Sequence, residues 1–337
     1  MSSSERSNNM ATMPKESVEP APVRERYHVY HAGAHVLSGQ FEHPIKQPIE
    51  HYGNVVLEKT RREGLLTESV GETSVEGLIS FKAGRTRVIG SQLMNKKDIW
   101  GNDHSGWVTQ STSVLEGFNV GDVITADRVV AQVSTEHPLT YPGHVPKVTF
   151  LGTRFENLRV AGYPVQLELD LNFCGNRPEG DRSYLEDGGF LDRVKDQLNS
   201  IVNNDDNEDS EDLPEALEKQ YHAKIAYIND LKERAKGGAN GGRNGYSKLQ
   251  CSLVKSIGPI PGAKVFGNMI FIPDFGTVSL AEVEVGIEAA DGFSGEPRPE
   301  PNDGSYFTLH MLNMRLGCPL VATTQAATAT INGQTRP

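Results

Sequence analysis

The chain has 337 residues, a formal net charge of −11, 37% hydrophobic residues and 23% charged ones. This is the profile of a polar globular protein with room for one large domain or two ordinary ones. The acidic balance and the lack of any Lys/Arg run exclude a nucleic-acid backbone binder, which needs a concentrated basic face.

Residues 1–25 carry Ser, Asn, Glu and Pro with little apolar bulk, and a disordered N-terminal arm is expected there because such a segment cannot offset its ordering entropy. No apolar run follows a basic start and none could span a bilayer, so neither a signal peptide nor a transmembrane segment is expected. Cys174, Cys251 and Cys318 have neither disulfide nor zinc spacing. The expected compartment is the cytoplasm, with export by a non-classical route or after processing as the alternative.

From Tyr27 onward, short runs of Val, Ile, Thr and Tyr broken by Gly, Pro and Asn predict antiparallel strands. They fall at Tyr27–Leu37, Asn54–Thr60, Ser74–Phe81, Thr86–Ser91, Trp107–Leu115, Asp122–Ser134, Lys147–Phe155 and Pro164–Phe173. Five of the ten histidines, His28, His31, His35, His43 and His51, cluster in this stretch. On a strand His31 and His35 share a face about 13 Å apart, too far for one ion, so no metal site is assigned. Asp103 and His104 are neighbours in Trp100–Trp107 and would point to opposite faces of a strand, so turn chemistry explains them better than catalysis.

The pattern then becomes helical. Phe190, Leu191, Val194, Leu198, Ile201 and Val202 recur at helical spacing. A second helix is capped by Asp212, with Pro214 in its first turn and Glu215 completing a capping box. Between the helices, Asn204, Asp206, Glu208, Asp212 and Glu215 take five oxygen positions of a calcium loop. Asp209 occupies the turn position that needs glycine, and an acidic connector fits better. Gly237–Gly245 is a flexible return linker. Strands resume at Lys248–Ile257, Val265–Ile272, Thr277–Ile287, Tyr306–Leu316 and Leu320–Ile331, the last an Ala/Thr-rich stretch expected at a sheet edge.

One pattern occurs twice. Gly121-Asp-Val-Ile-Thr-Ala-Asp-Arg-Val-Val130 is answered by Gly276-Thr-Val-Ser-Leu-Ala-Glu-Val-Glu-Val285, and Asn157-Leu-Arg-Val-Ala-Gly-Tyr-Pro-Val165 by Asn313-Met-Arg-Leu-Gly-Cys-Pro-Leu320. Repetition predicts two related halves. Alternation puts Phe155, Asn157 and Arg159 on one face and Met311, Asn313 and Arg315 on another. Arg159 is expected to pair with Asp127 or Glu156, and Arg315 with Glu282. Asp127, Asn157, Arg159, Glu282, Asn313 and Arg315 are therefore the candidates for a polar groove.

The segments Thr112–Ala131 and Leu151–Val165, the latter containing Arg154-Phe-Glu-Asn-Leu-Arg159, resemble a family of uncharacterised bacterial proteins, with the likeness running from Tyr27 to the C-terminus. More distantly, Val123–Ala131 is similar to β-rich choice-of-anchor surface proteins. Neither resemblance brings a catalytic residue with it.

The sequence thus predicts a mainly β protein of two related antiparallel β-sandwich or barrel-like halves with an inserted helical hairpin. Its parts are the arm (1–25), a first β-rich half (26–180), the hairpin and its linkers (181–245) and a second β-rich half (246–337). No hydrolase, metalloprotease, nucleotide or dinucleotide motif is present, and no cofactor is expected. The leading expectation is a non-enzymatic structural or interaction protein, a homo-oligomer assembling through β-edges. A carbohydrate- or ligand-binding β-sandwich is the alternative, with an acid/base hydrolase behind it.

Overall fold

The computed structural model describes residues 27–94, 97, 105–139, 145–179, 182–202, 214–236, 247–287, 305–317 and 321–336. The predicted arm, Asp103 and His104, most of the acidic loop, the Gly-rich linker and Cys318 lie outside them. In chain order the strands are β1 (Tyr27–His43), β2 (Gln47–Tyr52), β3 (Val55–Thr60), β4 (Gly64–Val70), β5 (Thr73–Val75), β6 (Ile79–Phe81), β7 (Ala83–Leu93), β8 (Gly106–Val120), β9 (Ile124–Pro138), β10 (Lys147–Thr149), β11 (Arg154–Glu156), β12 (Arg159–Val160), β13 (Tyr163–Pro164) and β14 (Leu167–Leu169). A 3-10 turn (Tyr184–Glu186) leads into helices α1 (Gly188–Val202) and α2 (Glu215–Lys236). Then come β15 (Ser247–Ser252), β16 (Val254–Ile257), β17 (Lys264–Phe266), β18 (Met269–Ile272), β19 (Gly276–Ile287), β20 (Ser305–Leu316), β21 (Val321–Ile331) and β22 (Gln334–Arg336).

The fold is mainly β and antiparallel, with the predicted helical hairpin inserted. One sheet runs β17-β18-β19-β20-β21-β1-β2, with β15 also on β19 and β3 and β22 on β1. The other runs β13-β12-β9-β8-β6-β5, with β10 and β11 on β9, and β7 and β4 beyond β8. β1 therefore completes the sheet formed by the C-terminal strands, so the two β-rich stretches of sequence share a sheet. β1, β20 and β21 pack on β7, β8 and β9.

The two sheets meet closely because small residues line the contact. Ser111 and Ser113 of β8 donate to the carbonyls of Gly33 and His35 at 2.6 and 2.8 Å. Gly84 and Gly90 leave room for Val36 and Tyr30, whose side chains a Cβ would meet at 2.7 Å. The same constraint corrects the reading of the last strand. β21 is interior, between β20 and β1, and Ala322, Ala326, Ala327 and Ala329 are buried. Its small side chains reflect tight packing, not exposure.

Four adjacent strands of the first sheet change face along a single line. Buried residues alternate up to Leu280 in β19 and resume in the opposite phase at Ala281, and the same change occurs at Met311/Leu312, Ala326/Ala327 and Val36/Leu37. Pairing continues without slippage on either side of the line. Ala281 and Ala327 adopt left-handed φ of 46° and 51°, which turns the side chains over to the opposite face without inserting a residue into either strand. The second sheet makes a comparable change where Gly117, at φ 62°, faces Asp127 between the Glu116–Arg128 and Phe118–Ala126 pairs. Met311 is consequently buried, contrary to the expectation that it shares a face with Asn313 and Arg315.

Candidate functional site

Cross-strand register builds a floor on the face of the first sheet opposite Leu280, Leu312 and Met314. Lys264, Phe271, Thr277 and Arg315 lie opposite one another across β17, β18, β19 and β20. The next row, one pleat period inward, is Phe266, Met269, Ser279 and Asn313. Beyond the left-handed Ala281, Glu282 continues the same face. Two-residue periodicity alone would have turned it inward.

The helical hairpin roofs this floor. Leu217, Tyr221 and Lys224 recur at helical spacing along one face of α2, and Leu198 and Ile201 do so on α1. Together with Gln250 they enclose a cleft of about 620 Å³, the size of a small-molecule site. The roof is anchored. The Gln197 amide donates to the carbonyls of Ser252 and Val254 at 2.9 and 3.3 Å and accepts from the Ser252 amide at 3.0 Å. Ile201 packs where a side chain on Gly267 would stand, and Arg193 reaches the carbonyls of Phe173 and Cys174. Lys195 donates to Asn229, and Lys232 pairs with Asp192 across the two helices.

Among the described residues the lining carries one carboxylate, Glu282, and three cations, Lys224, Lys264 and Arg315. Asn313 and Gln250 donate to Glu282 Oε1, each at 3.4 Å, the long end of hydrogen bonding. Burial raises the Glu282 pKa above the ordinary carboxylate value, while Lys224 opposes that shift. Burial, reinforced by Glu282, raises the Tyr221 hydroxyl. The buried Cys251 thiol is pushed well up, chiefly by desolvation, so it is not a thiolate nucleophile. Arg315 is exposed and makes no hydrogen bond or ion pair among the described residues.

Of the six groove candidates, Glu282, Asn313 and Arg315 line this cleft and Asp127, Asn157 and Arg159 do not. On the second sheet Asn157, at φ 53°, donates to Asp127 at 2.6 Å. Arg159 donates to the Gly162 carbonyl at 3.1 Å instead of pairing with Asp127 or Glu156. Glu156 takes Arg154 and Arg128, and Glu282 takes amides where Arg315 was expected. Of the calcium-loop candidates, Asn204, Asp206, Glu208 and Asp212 lie outside the described residues, and Glu215 pairs with Lys219 in the first turn of α2. Among the described residues no three His, Cys, Asp or Glu side chains are placed to hold a metal. His35 stacks near His51, with ring centroids 5.2 Å apart, and bonds Ser38 at 2.9 Å.

Lys264, Phe266, Met269 and Phe271 were not singled out by sequence because Val265–Ile272 reads as one strand. Gly267-Asn268 between Phe266 and Met269 is a two-residue hairpin signal, and the turn puts all four on the same face. Lys224 and Tyr221 belong to the helical stripe, and nothing local distinguishes them from core and surface positions.

The chain belongs to the family described as Domain of unknown function (DUF8256), whose model matches residues 28–286. That span includes α1, α2, Lys224 and Glu282 and stops before β20, which carries Asn313 and Arg315. No curated protein and no solved structure matches the chain.

Proposed function

We propose that this member of the DUF8256 family is a non-enzymatic binding protein whose small-molecule ligand occupies the cleft between the helical hairpin and strands β17–β20. The observation that carries this reading is the convergence of amide, hydroxyl and charged groups from both helices and four strands on one hollow with an apolar floor. A paired-carboxylate hydrolase needs two acids flanking the reacting bond, and Glu282 is the single carboxylate in the lining among the described residues. The test is a thermal-shift screen with sugars, organic acids, nucleotides and fatty acids. A ligand should raise the melting temperature of the native chain, and Ser279→Trp, which fills the floor, should remove that rise. Ligand shifts that survive Ser279→Trp would place the site elsewhere.

A second reading, self-assembly through a β-edge, is favoured by β4. This strand pairs only with β7 among the described residues, and Leu65 and Leu66, which point to opposite faces, are 57% and 38% exposed. An unprotected apolar edge invites strand pairing between chains. Sedimentation equilibrium of the native chain and of Leu65→Lys tests it: an oligomer lost in the variant supports the edge, and a monomeric native chain rejects it.

A further inference from the structure

Among the described residues the cleft lining carries three cations and one carboxylate, in a chain whose net charge is −11. Its cations differ in what they already serve. Lys224 lies within electrostatic reach of Glu282, and its ammonium is 5.9 Å from the Tyr221 ring centroid. Arg315 stands at the end of the outer row without a partner among the described residues. A guanidinium is a fixed fork of donors suited to the paired oxygens of a carboxylate, sulfonate or phosphate.

The apolar surface lies beside it. Phe271 is 39% exposed, two strands from Arg315 in the same row, and Lys264 closes that row roughly 14 Å from Arg315, three strand spacings away. Phe266 and Met269 extend the apolar floor, and Ile201 and Leu217 face it from the roof. An exposed aromatic ring about two strand spacings from a guanidinium that has no partner among the described residues fits a flat or apolar body bearing an anionic group.

Resting on the cleft as the ligand site, we propose that its ligand is a small amphipathic organic anion, with the anionic group on Arg315 and the apolar body over Phe271, Phe266 and Met269. A hydroxyl or amine toward the inner end would meet Asn313, Gln250 and Glu282.

The test uses two fluorescent probes with the same aromatic body, 8-anilinonaphthalene-1-sulfonate and its uncharged counterpart N-phenyl-1-naphthylamine, titrated into the full chain. The sulfonate should bind saturably and at least about tenfold more tightly than the neutral probe, the scale of one charge-assisted hydrogen bond. Arg315→Gln should abolish that preference and leave the neutral probe unchanged. Arg87→Gln, which removes the same charge from an exposed position on β7, should change neither. Equal affinity for the two probes, or equal losses in Arg315→Gln and Arg87→Gln, overturns the anion assignment while the cleft reading stands, provided Ser279→Trp or Thr277→Trp blocks both probes. If neither probe binds, or both survive the filling variants, the cleft reading fails and the anion assignment falls with it. Circular dichroism establishes that each variant is folded.

Discussion

Asn313 and Glu282 share a hydrogen bond although neither is the other's cross-strand partner. Asn313 lies opposite Ser279 and Glu282 opposite His310, three residues further along. The left-handed φ of Ala281 brings both side chains to one face. In the second sheet Asn157 and Asp127 make the same kind of contact at 2.6 Å, between residues in the same places of the repeated pattern. There the flanking register, Glu156 with Arg128 and Arg159 with Thr125, sets the two directly opposite.

Burial raises the Glu282 pKa in the folded chain. An acid so shifted contributes stability below its unfolded pKa and loses it as pH rises through the folded value. Wild type should therefore lose stability relative to Glu282→Gln as pH rises from about 4 toward neutrality. The glutamine retains an acceptor for Asn313 and Gln250. Urea midpoints across this range measure the difference, and a gap between the two proteins that stays constant with pH would contradict it.

Ala281 is fully buried at positive φ. A β-branched residue is strained there and adds volume to a packed row, so Ala281→Val should cost more than about 2 kcal/mol. Ala281→Gly gains about 1 kcal/mol from relieved strain and loses a similar amount with its methyl, leaving stability near wild type. Chemical denaturation of the two variants is the measurement.

His28 is 2% exposed, stacked on Trp107 at 5.7 Å and edge-on to Tyr30 at 4.7 Å. Its ring nitrogens contact the hydroxyls of Thr335 and Thr109 at 3.2 and 3.4 Å. Desolvation lowers its pKa from 6.5 to about 3. The neutral ring favours the folded state above pH 6.5, and that advantage, on the order of 4 kcal/mol, is lost as pH falls toward 3. His28→Phe keeps a ring on Trp107 and removes the titration. Its stability should fall less between pH 7 and pH 4 than that of wild type, measured by urea unfolding at both values.

Tyr184 is fully buried and links the helical insertion to both sheets. Its ring is edge-on to Phe307 of β20 and Phe190 of α1, with centroids 5.1 and 5.5 Å away. Its hydroxyl donates to the Pro146 carbonyl at 3.2 Å and accepts from the Val148 amide at 3.3 Å. Tyr184→Phe should cost about 1–3 kcal/mol for the buried groups left unpaired. Tyr184→Ala should cost about 3–5 kcal/mol through the cavity it adds. Thermal unfolding distinguishes the two.

Local pattern was sufficient for the β class, the helical hairpin and most strand positions, because side-chain alternation and helical spacing are properties of neighbouring residues. The glycines opening the repeated pattern were also informative. Gly121 and Gly276 take φ of 55° and 134°, values that glycine adopts freely, and at Gly276 a Cβ would also stand 2.0 Å from the Arg315 carbonyl oxygen of the neighbouring strand. Asn313 and Arg315 could be named from alternation and repetition, and Glu282 as the acid expected to pair with Arg315, although that pair does not form.

What surrounds them could not. The line of face changes exists because four paired strands turn over together, and no single strand records that requirement. β21 reads as an edge and is interior because its small residues answer to β8 and β9 across the sheet contact. Lys224 meets Glu282 only when α2 docks on β19, and Lys264 and Phe271 join Arg315 only after four strands pair in register. Sequence determines which face a side chain takes on its own strand. Packing between distant segments decides which faces meet, and the cleft is made of that meeting.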